Sequence, residues 1–289
     1  MGISRRFERI LLATDGSDAA RAAVDATIAL AKSPTVKVRV AQVWNLELRH
    51  AHGQRDVEVR GEAGKLVDAT VERLFRAGVI AEREICRADS THVAAAIACA
   101  AKVFQADLVV IGSRGLSDWQ ALTVHSETNQ MLCGLDCPVL IVRGVADGPS
   151  ITKWKVLLAI AAGDDLEPGV RAAVSIGRSD ESVVVVHVAQ TISGLHRFAY
   201  LESGAEIRET MAQAGKLLTD AGVKVHGVVA HTGPVTKAVA EIAREADADL
   251  IVIGSSRMGD IGSLFLGSVS FDLLQMTDRP NLVAESVPA

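Results

Sequence analysis

Aromatic side chains are scarce in this chain of 289 residues, at only 3% of its composition, so Val, Ile, Leu and Ala must fill the core. There are four cysteines, none of them in a CxxC pair, which excludes a disulfide framework and argues against a zinc site. No apolar run reaches about 18 residues, so no membrane span is expected. With a net charge of −5 and no basic tract, the chain is not expected to bind nucleic acid.

Several catalytic signatures are also missing. There is no Walker A sequence and no GxSxG serine. There is also no GxGxxG after the first predicted strand, where the sequence is "TDGSD" instead. These absences disfavour a P-loop ATPase, a serine hydrolase and a classical dehydrogenase. The start "MGISRRFERILLATDG" has no signal-peptide apolar region, and Arg6 stands where a myristoylation signal needs Ser or Thr. We therefore expect a cytoplasmic protein.

What the chain does contain is an internal repeat. The segment "ADLVVIGSRG" at 106–115 returns as "ADLIVIGSSR" at 248–257, an offset of 142 residues, and "ILLATDGSD" at 10–18 matches "VLLAIAAGD" at 156–164. Landmarks that recur in one order at a nearly constant, long spacing indicate duplicated domains, because the period is far too long for a solenoid unit. The sequence predicts two domains, residues 1–147 and 148–289, joined by the short turn-forming segment "VADGPSITK".

Within each half, short β-branched runs alternate with longer Ala-rich amphipathic runs, which predicts an α/β fold with a parallel sheet covered by helices. The predicted strands are 9–14, 37–43, 80–86, 108–111 and 139–142, then 155–160, 182–188, 224–230, 250–253 and 281–284. The predicted helices are 18–32, 55–77, 91–104 and 124–133, then 167–176, 201–219, 236–245 and 268–275. Gly78 and Gly222 are expected to end the helices before them.

A Gly-rich segment follows the fourth predicted strand of each half, at the edge where open α/β sheets bind ligands. Glycines let backbone amides approach an anion, and the next helix N-terminus adds partial positive charge, so phosphate is the expected guest. A simpler interpretation of Gly112 and Gly254 is a strand-to-helix turn that needs positive φ. Asp15 likewise has two interpretations: a ligand contact, or a helix cap that Ser17 could replace.

These features resemble the universal stress protein family, and specifically its tandem two-domain members, over nearly the whole chain. The resemblance implies two open five-stranded parallel sheets of strand order 3-2-1-4-5, like those of adenine nucleotide alpha hydrolases. It also implies an Asp at the end of the first strand and an ATP signature after the fourth: Gly, two residues, Gly, nine residues, Gly, then Ser or Thr. In ATP-binding members, adenosine lies near the Asp and the end of the second strand, with the phosphates on the signature.

In the first half, the resemblance assigns adenosine contacts to Ala13, Thr14, Asp15 and Val43. Phosphate contacts fall on the signature residues, which are Gly112, Arg114, Gly115, His125 and Ser126. His125 stands where the family has its third glycine, although an imidazole can also donate to phosphate.

In the second half, Gly254 opens the signature, Arg257 replaces its second glycine, and Gly267, Ser268 and Val269 complete it. Ala161 stands where the Asp is expected. Arg257 either fills the cleft or clamps a phosphate, so we expect adenosine in the first half and phosphate contacts in the second.

The resulting expectation is a stress-response protein that binds ATP, ADP or AMP, with or without Mg²⁺, and acts through binding rather than fast turnover. Two alternatives stay open: a nucleotide-free interaction or small-ligand module with degenerate signatures, and a slow ATP hydrolase. The resemblance further implies that the domains pack as a pseudo-dimer through their fifth strands, 139–142 and 281–284, and that two chains associate as a homodimer. Such pairing would cover otherwise exposed strand edges.

Overall fold

The computed structural model describes residues 6–45, 55–88, 92–113, 135, 137–143, 154–161, 165–177, 182–188, 191–194, 197–200, 203–230, 234–254, 272–274 and 276–284. The chain divides into two compact units, one for each half of the sequence repeat. A boundary between residues 147 and 148 stays a prediction, because residues 144–153 lie outside the described ranges.

The first domain is an open parallel sheet with helices between its strands. Its elements are β1 (Arg9–Ala13), α1 (Asp18–Leu30), β2 (Lys37–Asn45), α2 (Arg55–Arg76), β3 (Ala81–Ala88), α3 (Val93–Phe104), β4 (Leu108–Ser113) and β5 (Val139–Arg143). Strand β1 pairs in parallel with β2 and β4, β2 pairs with β3, and β4 pairs with β5. The order β3-β2-β1-β4-β5 agrees with the expected 3-2-1-4-5.

The second domain repeats this plan. Its elements are β6 (Val156–Ile160), α4 (Leu166–Ile176), β7 (Ser182–Val188), β8 (Thr191–Gly194), β9 (Arg197–Tyr200), α5 (Gly204–Asp220), β10 (Lys224–Ala230), α6 (Val235–Glu245), β11 (Leu250–Gly254) and β12 (Asn281–Ala284). Strand β6 pairs in parallel with β7 and β11, which pair in turn with β10 and β12. The same order of five strands therefore occurs twice.

The central strands form the core of each domain, as expected when helices cover both faces of a parallel sheet. Ile10, Leu11 and Leu12 of β1 are fully buried, and Leu157 and Leu158 occupy matching positions in β6. Such near-continuous apolar runs explain why the strands could be located from sequence.

The predicted helix ends at Gly78 and Gly222 are confirmed, and the structure adds a cap at Ser203 that was not predicted. Gly78 and Gly222 adopt φ of 82° and 75° just after α2 and α5, a left-handed conformation that ends a helix at little cost in glycine. Ser203 begins α5 with a capping box, in which its hydroxyl accepts from the Glu206 amide and the Glu206 carboxylate accepts from the Ser203 amide.

One element was not predicted: β8 and β9 form a separate antiparallel hairpin directly after β7. Of the predicted helices, 124–133 lies outside the described residues, and only 272–274 of 268–275 are described, all three as helical. Among the helices that the structure describes, none is long and apolar enough to cross a membrane. No group of three or more metal-ligating side chains occurs in the described part of the chain.

Candidate functional site

The candidate site in the first domain is the crevice at the carboxyl ends of β1 and β4. Ala13, the last residue of β1, pairs with Ala41 on one side and Ile111 on the other. The connection that leaves β1 runs to β2 on one side, and the connection that leaves β4 runs to β5 on the other. Ligands bind at such switch points in open α/β sheets. The structure thus brings Ala13, Thr14, Asp15, Val43 and Gly112 to one edge of one sheet.

A tight turn holds Asp15 at this edge. Its Oδ1 accepts a hydrogen bond of 2.9 Å from the Ser17 amide, and the Thr14 hydroxyl accepts one of 3.3 Å from the Gly16 amide. Gly16 adopts φ of 78° between them. Ser17, not Asp15, caps α1, since its Oγ accepts from the Ala20 amide at 3.2 Å. The cap and the exposed carboxylate are therefore on different residues.

This division of roles makes a pair of substitutions informative. We expect Asp15→Ala to weaken ATP binding at least about tenfold, because a charge-assisted hydrogen bond is lost, and to change the unfolding free energy by less than about 1 kcal/mol. Ser17→Ala is expected to cost about 1 kcal/mol of stability through the lost cap while leaving ATP affinity unchanged. Calorimetric titration and urea unfolding of both variants would measure this. If Asp15→Ala cost only stability, the carboxylate would be structural.

Gly112 is a glycine because α1 packs onto it. A Cβ at this position would lie 2.3 Å from the Ala19 carbonyl oxygen and 2.6 Å from the Ala20 amide nitrogen, and both atoms belong to the helix backbone. Its φ is not positive, so the turn interpretation is wrong. Close packing of a helix on a strand explains the residue without a ligand, and a phosphate site would depend on the amides that follow it.

Gly254 occupies the matching position in the second domain, and its surroundings differ. Its φ is not positive either, and no atom of the described residues lies within 4 Å of the position of a Cβ. Four residues, 14–17, separate Ala13 from α1, whereas six, 160–165, separate Ala159 from α4. We attribute this difference between the described surroundings of Gly112 and Gly254 to the longer connection.

The end of β2 adds residues that the sequence analysis missed. Trp44 follows Val43, and the Arg87 guanidinium lies 5.6 Å from the centroid of its ring. Gln42 precedes Val43 and is 9% exposed, so a polar side chain is buried at this edge. The signal available in the sequence was Gln42 itself, as the polar residue after the "VRVA" stretch of β2.

Eight predicted contact residues lie outside the described residues, and their roles stay predictions: Arg114, Gly115, His125, Ser126, Arg257, Gly267, Ser268 and Val269. At the β1–β2 side of the crevice, the Asp15 carboxylate has the chemistry to accept hydrogen bonds from hydroxyl or amine donors. The second domain lacks this group, since Ala161 takes its place.

The fold and its crevices define an α/β protein built from two open, five-stranded parallel sheets in tandem. The sequence model of the Universal stress protein family matches residues 6–143 and again residues 154–284. The chain therefore belongs to the universal stress protein family.

Individual relatives agree with this assignment. The universal stress protein YxiE of Bacillus subtilis (strain 168) is 29% identical over 150 residues, which are 47% of this chain and 99% of that protein. A universal stress protein of Thermus aquaticus, named for the QAH/OAS sulfhydrylase 3′ region, is 34% identical over 142 residues, 47% of this chain and 99% of that protein.

The fold of the whole chain also has a solved counterpart. The crystal structure of a universal stress protein from Archaeoglobus fulgidus DSM 4304 has a TM-score of 0.72 and 20% identity, and covers 96% of this chain and 98% of that one. This structure shares the two-domain fold.

Proposed function

We propose that this universal stress protein binds an adenine nucleotide in the crevice of its first domain and acts as a cytoplasmic regulatory module in the stress response. The observation that supports this most is the Asp15 carboxylate, which a turn holds at the switch point of the sheet while Ser17 caps the helix. The two carboxylate oxygens of Asp15 can accept the kind of hydrogen bond that nucleoside hydroxyl and amine groups donate, and the capping role belongs to Ser17.

The proposed division of the ligand follows the two sides of the crevice. Thr14, Asp15 and Val43 contact the adenosine, and the signature from Gly112 to Ser126 holds the phosphates, with Mg²⁺ where ATP or ADP is bound. In the second domain, the segment from Gly254 to Val269 contributes phosphate contacts, and Arg257 clamps them. These roles use the chemistry of each residue type: carboxylate for hydroxyl and amine donors, and amides and guanidinium for phosphate oxygens.

The direct test has two parts. Mass spectrometry of the small molecules released when the purified protein is denatured should detect AMP, ADP or ATP. Titration of the ligand-free protein with fluorescent ATP should then give saturable binding, and prolonged incubation should release little phosphate. No released nucleotide together with no saturable binding would refute the proposal, and steady phosphate release would favour the slow hydrolase.

A nucleotide-free interaction module is the second candidate, and one observation favours it. Contact with α1 is sufficient to explain Gly112, so this residue is no longer an independent sign of a ligand. His125 and Arg257 also interrupt the two signatures. Under this alternative, Asp15→Ala and the parent would be equally inert toward ATP.

A further inference from the structure

Gln42 combines burial with an unused hydrogen-bonding atom. The residue is 9% exposed, and its Oε1 is enclosed without a hydrogen-bond donor among the described residues. A buried acceptor that loses its water and gains no partner lowers the stability of the fold. Its presence in β2 between Ala41 and Val43 therefore indicates a requirement other than packing.

The register of the strands locates Gln42 beside the end of β1, where the candidate site lies. Ala13 of β1 pairs with Ala41 of β2 and Ile111 of β4, and the Thr14 amide donates to the Ala41 carbonyl. One residue further along each strand, Gln42, Thr14 and Gly112 therefore lie side by side across the sheet. Paired residues of a parallel sheet share a face, and a Cβ on Gly112 would point at α1. Gln42 therefore lies on the face covered by α1, at the level where β1 ends.

The second domain has a polar side chain at the same position. His187 pairs with Ile160, the residue that corresponds to Thr14, and His187 is fully buried. Glutamine and neutral histidine differ in shape, but each can accept one hydrogen bond through a side-chain atom. Both copies of the repeat thus have a buried side chain that can accept a hydrogen bond beside the end of their first strand.

We propose that Gln42 Oε1 accepts a hydrogen bond from the bound nucleoside. The first domain is then selective for nucleosides that carry the donor group facing this oxygen. This inference rests on the proposed function. Adenosine offers two kinds of donor, the ribose hydroxyls and the 6-amino group, whereas an ionised phosphate offers none. A buried acceptor left unpaired by the wrong ligand discriminates strongly against it. Gln42 is thus a selectivity residue beside Thr14 and Asp15.

The test compares the parent with Gln42→Met, which keeps the shape of the side chain and removes the acceptor. Calorimetric titrations use ATP, 2′-deoxy-ATP and inosine triphosphate, which lacks the amino group. The parent should bind one of the two analogues at least about tenfold more weakly than ATP. Gln42→Met should bind ATP at least about tenfold more weakly and no longer discriminate against that analogue, while its thermal midpoint without ligand does not fall.

Gln42→His introduces the residue found at the matching position of the second domain and tests whether ATP binding is rescued. It restores an acceptor and should recover part of the ATP affinity and the discrimination. Equal ATP affinity in the parent and Gln42→Met would overturn the inference. A parent that binds all three nucleotides with the same affinity would overturn it as well, and this second result does not require Gln42→Met to fold. Failure of the proposed function is seen separately, as a parent that binds none of them.

Discussion

Gly112→Ala should destabilise the first domain by about 3 kcal/mol or prevent it from folding, since overpacking at backbone atoms cannot be relieved by a rotamer change. The added methyl group would stand 2.3 Å from the Ala19 carbonyl oxygen and 2.4 Å from its carbonyl carbon. Relief requires α1 to move away from β4, which would open the packing over the buried centre of the sheet. Urea unfolding followed by circular dichroism measures the loss.

The second domain supplies the matched control. Gly254→Ala makes the same change at the corresponding position, where no described atom lies within 4 Å of the new Cβ. We expect it to change the unfolding free energy by less than about 1 kcal/mol. Equal losses in the two variants would show that the contact between α1 and Gly112 does not limit stability.

Gly115→Val should lower ATP affinity at least about a hundredfold, the largest effect on binding that we expect. The resemblance places Gly115 second in the ATP signature, where a backbone amide must approach phosphate and a branched side chain would hold the ligand away. Glycine at such a position serves the ligand rather than the fold, so the thermal midpoint without nucleotide should stay near that of the parent. Titration with fluorescent ATP and a thermal melt give the two values.

Gly61→Val is the control for this substitution. Gly61 is exposed on α2, and no described atom lies within 4 Å of a Cβ there. The ATP affinity of the Gly61→Val variant should equal that of the parent. Should Gly115→Val also bind ATP normally, the first signature would not be a phosphate site.

Most of the fold could be read from the sequence, because the strands are short apolar runs and the helices carry their own end signals. Strands β7, β10 and β12 begin and end at the predicted residues, and Ser17, Gly78 and Gly222 act at the predicted helix ends. The repeat supports these predictions, because each strand and helix predicted in one half has a counterpart in the other half. Strand β2 extends two residues beyond the prediction, to Asn45, because Trp44 and Asn45 continue the pairing with β3.

What the sequence could not reveal depends on contacts between distant residues. The reason for Gly112 lies in the backbone of α1, more than 90 residues earlier in the chain. The hairpin of β8 and β9 lacks strong turn residues, since Leu195 and His196 connect its strands. The unpaired oxygen of Gln42 became visible only when the neighbouring strands were in register.

The two extra residues between β6 and α4 also affect how the two copies evolve. In the first copy, any side chain at position 112 would be removed by selection because the domain would not fold. In the second copy, no described atom lies within 4 Å of a Cβ at position 254, so the described part of the domain does not demand glycine there and ligand recognition would be the pressure that keeps it. Natural variation at these two positions would therefore report different pressures: folding at the first, and retained or abandoned ligand recognition at the second.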